Sequence, residues 1–153
     1  MHRRPRLILL APAALAAGGA LALAACSDGP QSAPRADDPA CTRALAAAPP
    51  AVLGRGRTRL DVRGAAAWGD PRIVLRCGLP ALAPTTEQCL TVDGVDWVIA
   101  DPDADPVVFT AYGREPTAEL SVPTAYGRSA ASGALVDVVA VARALPSNGR
   151  TCD

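Results

Sequence analysis

Lysine is missing from this chain altogether: all 15 of its basic residues are Arg. Its one His is His2 and its one Met is Met1. These absences exclude chemistry. Without Lys there is no Walker-type phosphate lysine, no Schiff base and no Ser–Lys dyad. Without a His beyond position 2 there is no Ser–His–Asp or Cys–His catalysis and no His-ligated metal. Aromatics are scarce too, at 3%, so a core must be built mainly from aliphatic side chains. The 153 residues leave room for one domain around one modest core. Half the chain is hydrophobic, but Ala and an apolar N-terminal stretch supply much of that fraction.

What is present begins with an address. Arg3, Arg4 and Arg6 precede an apolar run from Leu7 to about Ala22, which closes in Leu23-Ala24-Ala25-Cys26. This is the three-part layout of an export signal, with small residues where a peptidase must fit the chain. Residues 1–25 are read as a lipoprotein-type signal peptide, and the last four residues resemble a bacterial lipobox with Cys26 as the lipidated residue. An uncleaved single-pass anchor over Leu7–Cys26 and simple secretion are the alternatives. All three place the remainder outside the cytoplasm, and the first anchors it to the outer face of the plasma membrane. Residues 26–153 keep 12 Arg against 15 acids, a net charge of −3. A weakly acidic domain without Lys does not bind nucleic acid by mass electrostatics.

Residues 26–40 contain Pro, Ser, Asp and Ala but no large apolar side chain. Such a segment buries too little to offset its ordering entropy and is expected to be a flexible tether. Residues 41–153 then form a single α+β domain. Asp38-Pro39 predicts a capped helix start, with the helix running to about Ala48. Arg57 to Arg63 alternates strictly and predicts a half-buried strand. Further strands are expected over Arg72–Cys77, Gln88–Val92, Val95–Ala100, Pro106–Arg114 and Thr117–Val122. Asp93-Gly94 supplies a strong hairpin signal. Ser129 to Leu145 carries Leu135, Val138, Val139, Ala142 and Leu145 at helical spacing. The expectation is an antiparallel sheet of five to six strands, with a short N-terminal and a C-terminal helix on one face.

Four cysteines remain besides Cys26: Cys41, Cys77, Cys89 and Cys152. An even number outside the cytoplasm, with no CxxC spacing, reads as two disulfides and not as a redox pair or metal site. Three pairings are possible. Cys77–Cys89, bridging neighbouring strand ends, and with it Cys41–Cys152, is favoured.

The segment Trp68-Gly69-Asp70-Pro71-Arg72-Ile73-Val74-Leu75-Arg76-Cys77-Gly78 resembles the small exported actinobacterial proteins catalogued as domain of unknown function 3515. So do Gly94-Val95-Asp96-Trp97, Phe109-Thr110-Ala111-Tyr112-Gly113-Arg114 and Val122-Pro123. The likeness spans roughly Cys41 to Leu145. It implies a cell-envelope location and brings no assigned activity and no catalytic residues. A lipobox departs from the plain membrane anchor that similar proteins often carry.

Two clusters are candidate ligand-binding residues. Trp68 and Asp70, in a loop before a buried strand, with Arg76 near that strand's end, offer an indole, a carboxylate and a guanidinium to a sugar or peptide carboxylate. The plain alternative has Trp68 in the core edge, Asp70 capping a turn and Arg76 paired with an acid. Asp96, Tyr112 and Arg114 form the second cluster, with an Asp96–Arg114 ion pair expected across neighbouring strands. Carboxylate catalysis on glycan would need two of Asp70, Asp96, Glu115 and Glu119 placed across a bond. The Asp101–Pro106 run lacks the glycine and distal Glu of a calcium loop and reads as a solvated turn. The row Arg55, Arg57, Arg59 and Arg63 reads as the wet face of an edge strand, or as a contact for anionic headgroups. No cofactor and no metal is expected. The reading is a non-catalytic envelope binding domain, held to the membrane by lipid on Cys26, whose partner is wall material or an envelope protein. A carboxylate-dependent glycan hydrolase and a membrane-anchored scaffold are the alternatives.

Overall fold

The computed structural model describes residues 29–152. The expected signal peptide and Cys26 lie outside them. Helix α1 spans Pro39–Leu45, followed by strands β1 (Ala51–Val52), β2 (Arg55–Thr58), β3 (Ala65–Trp68) and β4 (Ile73–Leu79). Then come β5 (Gln88–Val92), β6 (Val95–Ile99), β7 (Val107–Ala111) and β8 (Thr117–Val122), two 3-10 turns, and helix α2 (Gly133–Arg143). The strands form one antiparallel sheet of eight in the order β1-β2-β3-β4-β8-β7-β6-β5. The α+β class and the antiparallel sheet match the expectation; eight strands replace the five to six.

Local chemistry explains the elements. Asp38 caps α1, its carboxylate accepting from the Ala40 N–H at 2.9 Å, with Pro39 in the first turn. Asp93 and Gly94, at φ 47° and 76°, turn the β5–β6 hairpin, as a type I′ turn requires. The extra strands come from β1 and β3. The β1–β2 turn uses Leu53 at φ 48° with Gly54, and Leu is not a residue that signals such a turn. Strand β3 is Ala-Ala-Ala-Trp, which carries no alternation. The strand expected over Arg57–Arg63 ends at Thr58.

Alternation divides the sheet. One face, with Ala66, Trp68, Ile73, Leu75, Cys77, Leu120, Val122, Phe109 and Trp97, packs against α1 and α2 to make the core. Helix α2 contributes Leu135, Val138, Val139 and Ala142, the stripe its sequence predicts. The opposite, helix-free face is crossed by two straps. Residues 29–38 lie along β4: the Arg35 N–H donates to Gly78 O at 2.9 Å, Arg76 Nη1 donates to Gln31 O at 3.1 Å, and Ala33 and Ala36 are buried. The second half of the expected tether over residues 26–40 is therefore docked on the domain. Glycine makes this possible. A Cβ on Gly78, whose φ is +105°, would strike the Arg35 backbone, and one on Gly64 would sit 2.8 Å from Ala36 Cβ.

The other strap is the C-terminal tail. It passes the β7–β8 turn, where Asn148 N–H donates to Gly113 O at 2.9 Å, and reaches Cys152, whose N–H donates to Asp96 Oδ2 at 2.8 Å.

The disulfides pair differently from the favoured scheme: Cys41 with Cys77 and Cys89 with Cys152, in place of Cys77–Cys89 and Cys41–Cys152. Topology is the reason. Strands β4 and β5 are four positions apart in the sheet, roughly 19 Å at ladder spacing. Cys77 also faces the helices, whereas Cys89 shares its row with Val98 and Thr110 on the helix-free face.

Candidate functional site

The six sequence-singled residues do not converge. Trp68 lies in β3, not in a loop, fully buried, its indole N–H donating to Pro49 O at 2.9 Å. The Arg57 guanidinium sits 5.4 Å from its ring centroid. Asp70 is exposed in the turn after β3, and Arg76 points to the other face of the sheet. Asp96 is held by Thr91 Oγ1 at 2.6 Å and by the Cys152 N–H. It does not pair with Arg114, whose Nη1 donates to Leu145 O at 3.1 Å, just past the end of α2. Both are structural duties: one fastens the C-terminal strap, the other meets an orphan carbonyl where the helix dipole favours a cation. Tyr112 is buried, beside the Cys89–Cys152 bridge.

What the fold does assemble is a polar strip between the straps. Arg76 on β4 stands opposite Glu119 on β8, Nη2 to Oε1 2.5 Å, with side chains about four-fifths covered at Glu119 and three-quarters at Arg76. Glu119 in turn opposes Thr110 on β7, and Ser121 opposes Val74 and Val108. Beside this strip two hollows open along the N-terminal strap. One of ≈ 490 Å³ is lined by Arg72, Val74, Arg76 and Ser121, with Pro106 and Pro123 at its end. The other, of ≈ 730 Å³, is lined by Thr58, Arg59, Asp70, Arg72 and Val74. Gly29 and Pro30 border both. Among the described residues, Arg59 and Arg72 make no ion pair, and the Thr58 hydroxyl, buried as an atom, has no hydrogen-bond partner.

The sequence carries a signal for this strip. Arg76 alternates with Leu75 and Cys77, and Glu119 and Ser121 alternate with Ala118, Leu120 and Val122. Only the β4·β8 pairing, which joins segments some 40 residues apart, shows that they meet.

A family model described as protein of unknown function (DUF3515) matches residues 7–148, nearly the whole chain. The chain belongs to this family. No curated protein and no solved structure matches it. In this DUF3515 domain the WGDPRIVLRCG segment therefore has three jobs. Trp68 fills core, Gly69–Arg72 makes the turn at the end of the strip, and Arg76 and Gly78 hold the N-terminal strap.

Three of the four candidate carboxylates, Asp96, Glu115 and Glu119, are spoken for, and the fourth, Asp70, is exposed. Glu115 accepts from Arg35 and from the Ala81 N–H at 3.0 Å; Glu119 is paired with Arg76. Glu119 and Asp96 stand two strands apart and two residues out of register, roughly 12 Å at ladder spacing. The Asp101–Pro106 loop is fastened by Arg128 Nη1, which donates to Pro102 O at 2.8 Å and Ala104 O at 2.9 Å. Asp105 accepts from the Thr124 N–H at 2.9 Å, and that bond holds its carboxyl below the ordinary range. Among the described residues no cluster of three His, Cys, Asp or Glu could hold a metal, and no helix is long and apolar enough to cross a membrane.

Proposed function

We propose that the chain is an exported lipoprotein, anchored through Cys26 at the outer face of the plasma membrane. Its domain binds a polar, carboxylate-bearing partner such as the peptide part of wall material. The observation that carries the binding role is the strip itself. A charge pair sits preformed on the helix-free face, flanked by hydroxyls and by a hollow into which Arg72 brings a further guanidinium. A guanidinium fork matches a carboxylate in two hydrogen bonds. A rigid site of this kind binds with little ordering cost, because disulfides and straps fix its walls. Export is supported by the signal-like N-terminus and by two disulfides, which persist outside the cytoplasm.

The test uses soluble wall fragments titrated by calorimetry against wild type and against Ser121→Tyr, which fills the strip from an only partly covered position. Saturable binding lost in the variant, with an unchanged melting temperature, is the expected result. Equal binding by both, or none by either, counts against the reading.

A further inference from the structure

The N-terminal strap has a direction. Arg35 is hydrogen-bonded at Gly78, Gln31 at Arg76, and Gly29 borders the hollow formed by Arg72 and Val74. Traced backwards, the chain thus runs along β4 towards the Gly69–Arg72 turn. Only Ser27 and Asp28 separate Gly29 from Cys26, so the two Cα atoms are at most about 11 Å apart. An acyl chain on Cys26 must enter a bilayer within that reach. The tether expected over residues 26–40 is replaced by a short leash.

We infer that the corner of the sheet around the Gly69–Arg72 turn rests on an anionic lipid surface, with the ≈ 730 Å³ hollow between Arg59 and Arg72 receiving a headgroup phosphate. This rests on the lipoprotein reading above and deepens it. Arg59 and Arg72 are exposed, and the unpartnered Thr58 hydroxyl lines the same hollow. Arg55 lies beside Gly69 of the same turn, its guanidinium 5.3 Å from the Tyr126 ring centroid. Against these three guanidiniums stands Asp70. Each basic residue at an anionic surface strengthens binding only about fivefold, too little to hold a free protein. With the anchor already inserted, the encounter is intramolecular, and weak contacts suffice to fix orientation. The acidic loop Asp101–Asp105 lies at the same end of the sheet, beyond β8 and β7. It tilts the domain so that the β2–β4 corner, not the whole end, touches lipid. The polar strip then opens sideways, at the height of membrane-proximal wall peptides.

The experiment is amide hydrogen exchange by mass spectrometry on the full-length protein extracted from membranes. It is compared in detergent, on phosphatidylcholine vesicles, and on vesicles mixing phosphatidylcholine with phosphatidylglycerol. Intact mass first reports the acyl group on Cys26. The expected result is slowed exchange over residues 55–60 and 68–72 on the anionic vesicles alone, lost in Arg59→Glu/Arg72→Glu while β6–β8 exchange is unchanged. Glycerol phosphate in solution is expected to leave exchange unaltered; slowing by it would make the hollow a site for free anions and overturn the bilayer as occupant. An acylated protein with no slowing at this corner, or with slowing centred on α2, overturns the docking alone. An unacylated mass overturns the lipoprotein reading and the docking with it.

Discussion

Trp68 illustrates how a residue that looks like a recognition platform serves as a beam. It is fully buried, and its N–H is taken by Pro49 O. Trp68→Ala is expected to cost about 3–5 kcal/mol of stability, read as a lowered denaturant midpoint; loss of ligand binding by a still-stable variant would contradict the core assignment. Asp38 shows the same economy at a partly covered site. Its carboxyl is held below its ordinary 3.8, first by the Ala40 N–H and then by Arg35. A depressed folded-state pKa means that the contribution is whole at neutral pH and fades as pH falls through the carboxylate range. Asp105, lowered by the Thr124 N–H and side chain, adds in the same direction. The stability gap between wild type and an Asp38→Ala/Asp105→Ala double variant is therefore expected to narrow as pH drops below about 4. Urea titrations at several pH values check this; a constant gap would remove the electrostatic account.

Among the elements, those with a strong local signal were legible. The Asp93-Gly94 hairpin, β5, β8 and the apolar stripe of α2 all stand where composition and period put them. Others were not, for reasons that differ. A triplet of Ala before Trp68 gives no period to read, and Leu53 in a left-handed turn contradicts its own preference. The docked segment 33–38 escaped because its stability comes from backbone contact with Gly64 and Gly78 and not from apolar side chains. Gly78→Ala is accordingly expected to lift that strap. Amide exchange at residues 33–37 should quicken manyfold, while β6 and β7 keep their protection. If the strap remains protected, close approach at Gly78 is not what holds it.

For the molecule as a whole, the sequence prescribed the class and the sheet's antiparallel sense, yet not which strands would be neighbours. That gap cost the disulfide scheme and hid the Arg76–Glu119 strip, since both depend on β4 lying beside β8 and far from β5. Peptide mapping under non-reducing conditions is expected to recover Cys41–Cys77 and Cys89–Cys152. By loop entropy each is worth about 4 kcal/mol, so breaking either with paired Ala substitutions should lower stability by an amount of that order. A substitution at Cys89 and Cys152 should also free the C-terminal strap from the strip's far side.

The pairing has a topological corollary. Bridges at 41–77 and 89–152 close two covalent rings that follow one another along the chain, whereas the alternative would have set one inside the other. The only backbone joining them is the short proline-bearing connection from Gly78 to Gln88. A single protease cut there would leave two halves with no covalent bond between them, α1 with β1–β4 and α2 with β5–β8, clasped by the β4–β8 ladder, the shared core and polar links such as Arg35–Glu115 and Leu53 N–H to Asp137. On a non-reducing denaturing gel such a nicked molecule should fall into two bands, and in native solution it should still migrate as one. The domain is, in that sense, a ready-made split protein.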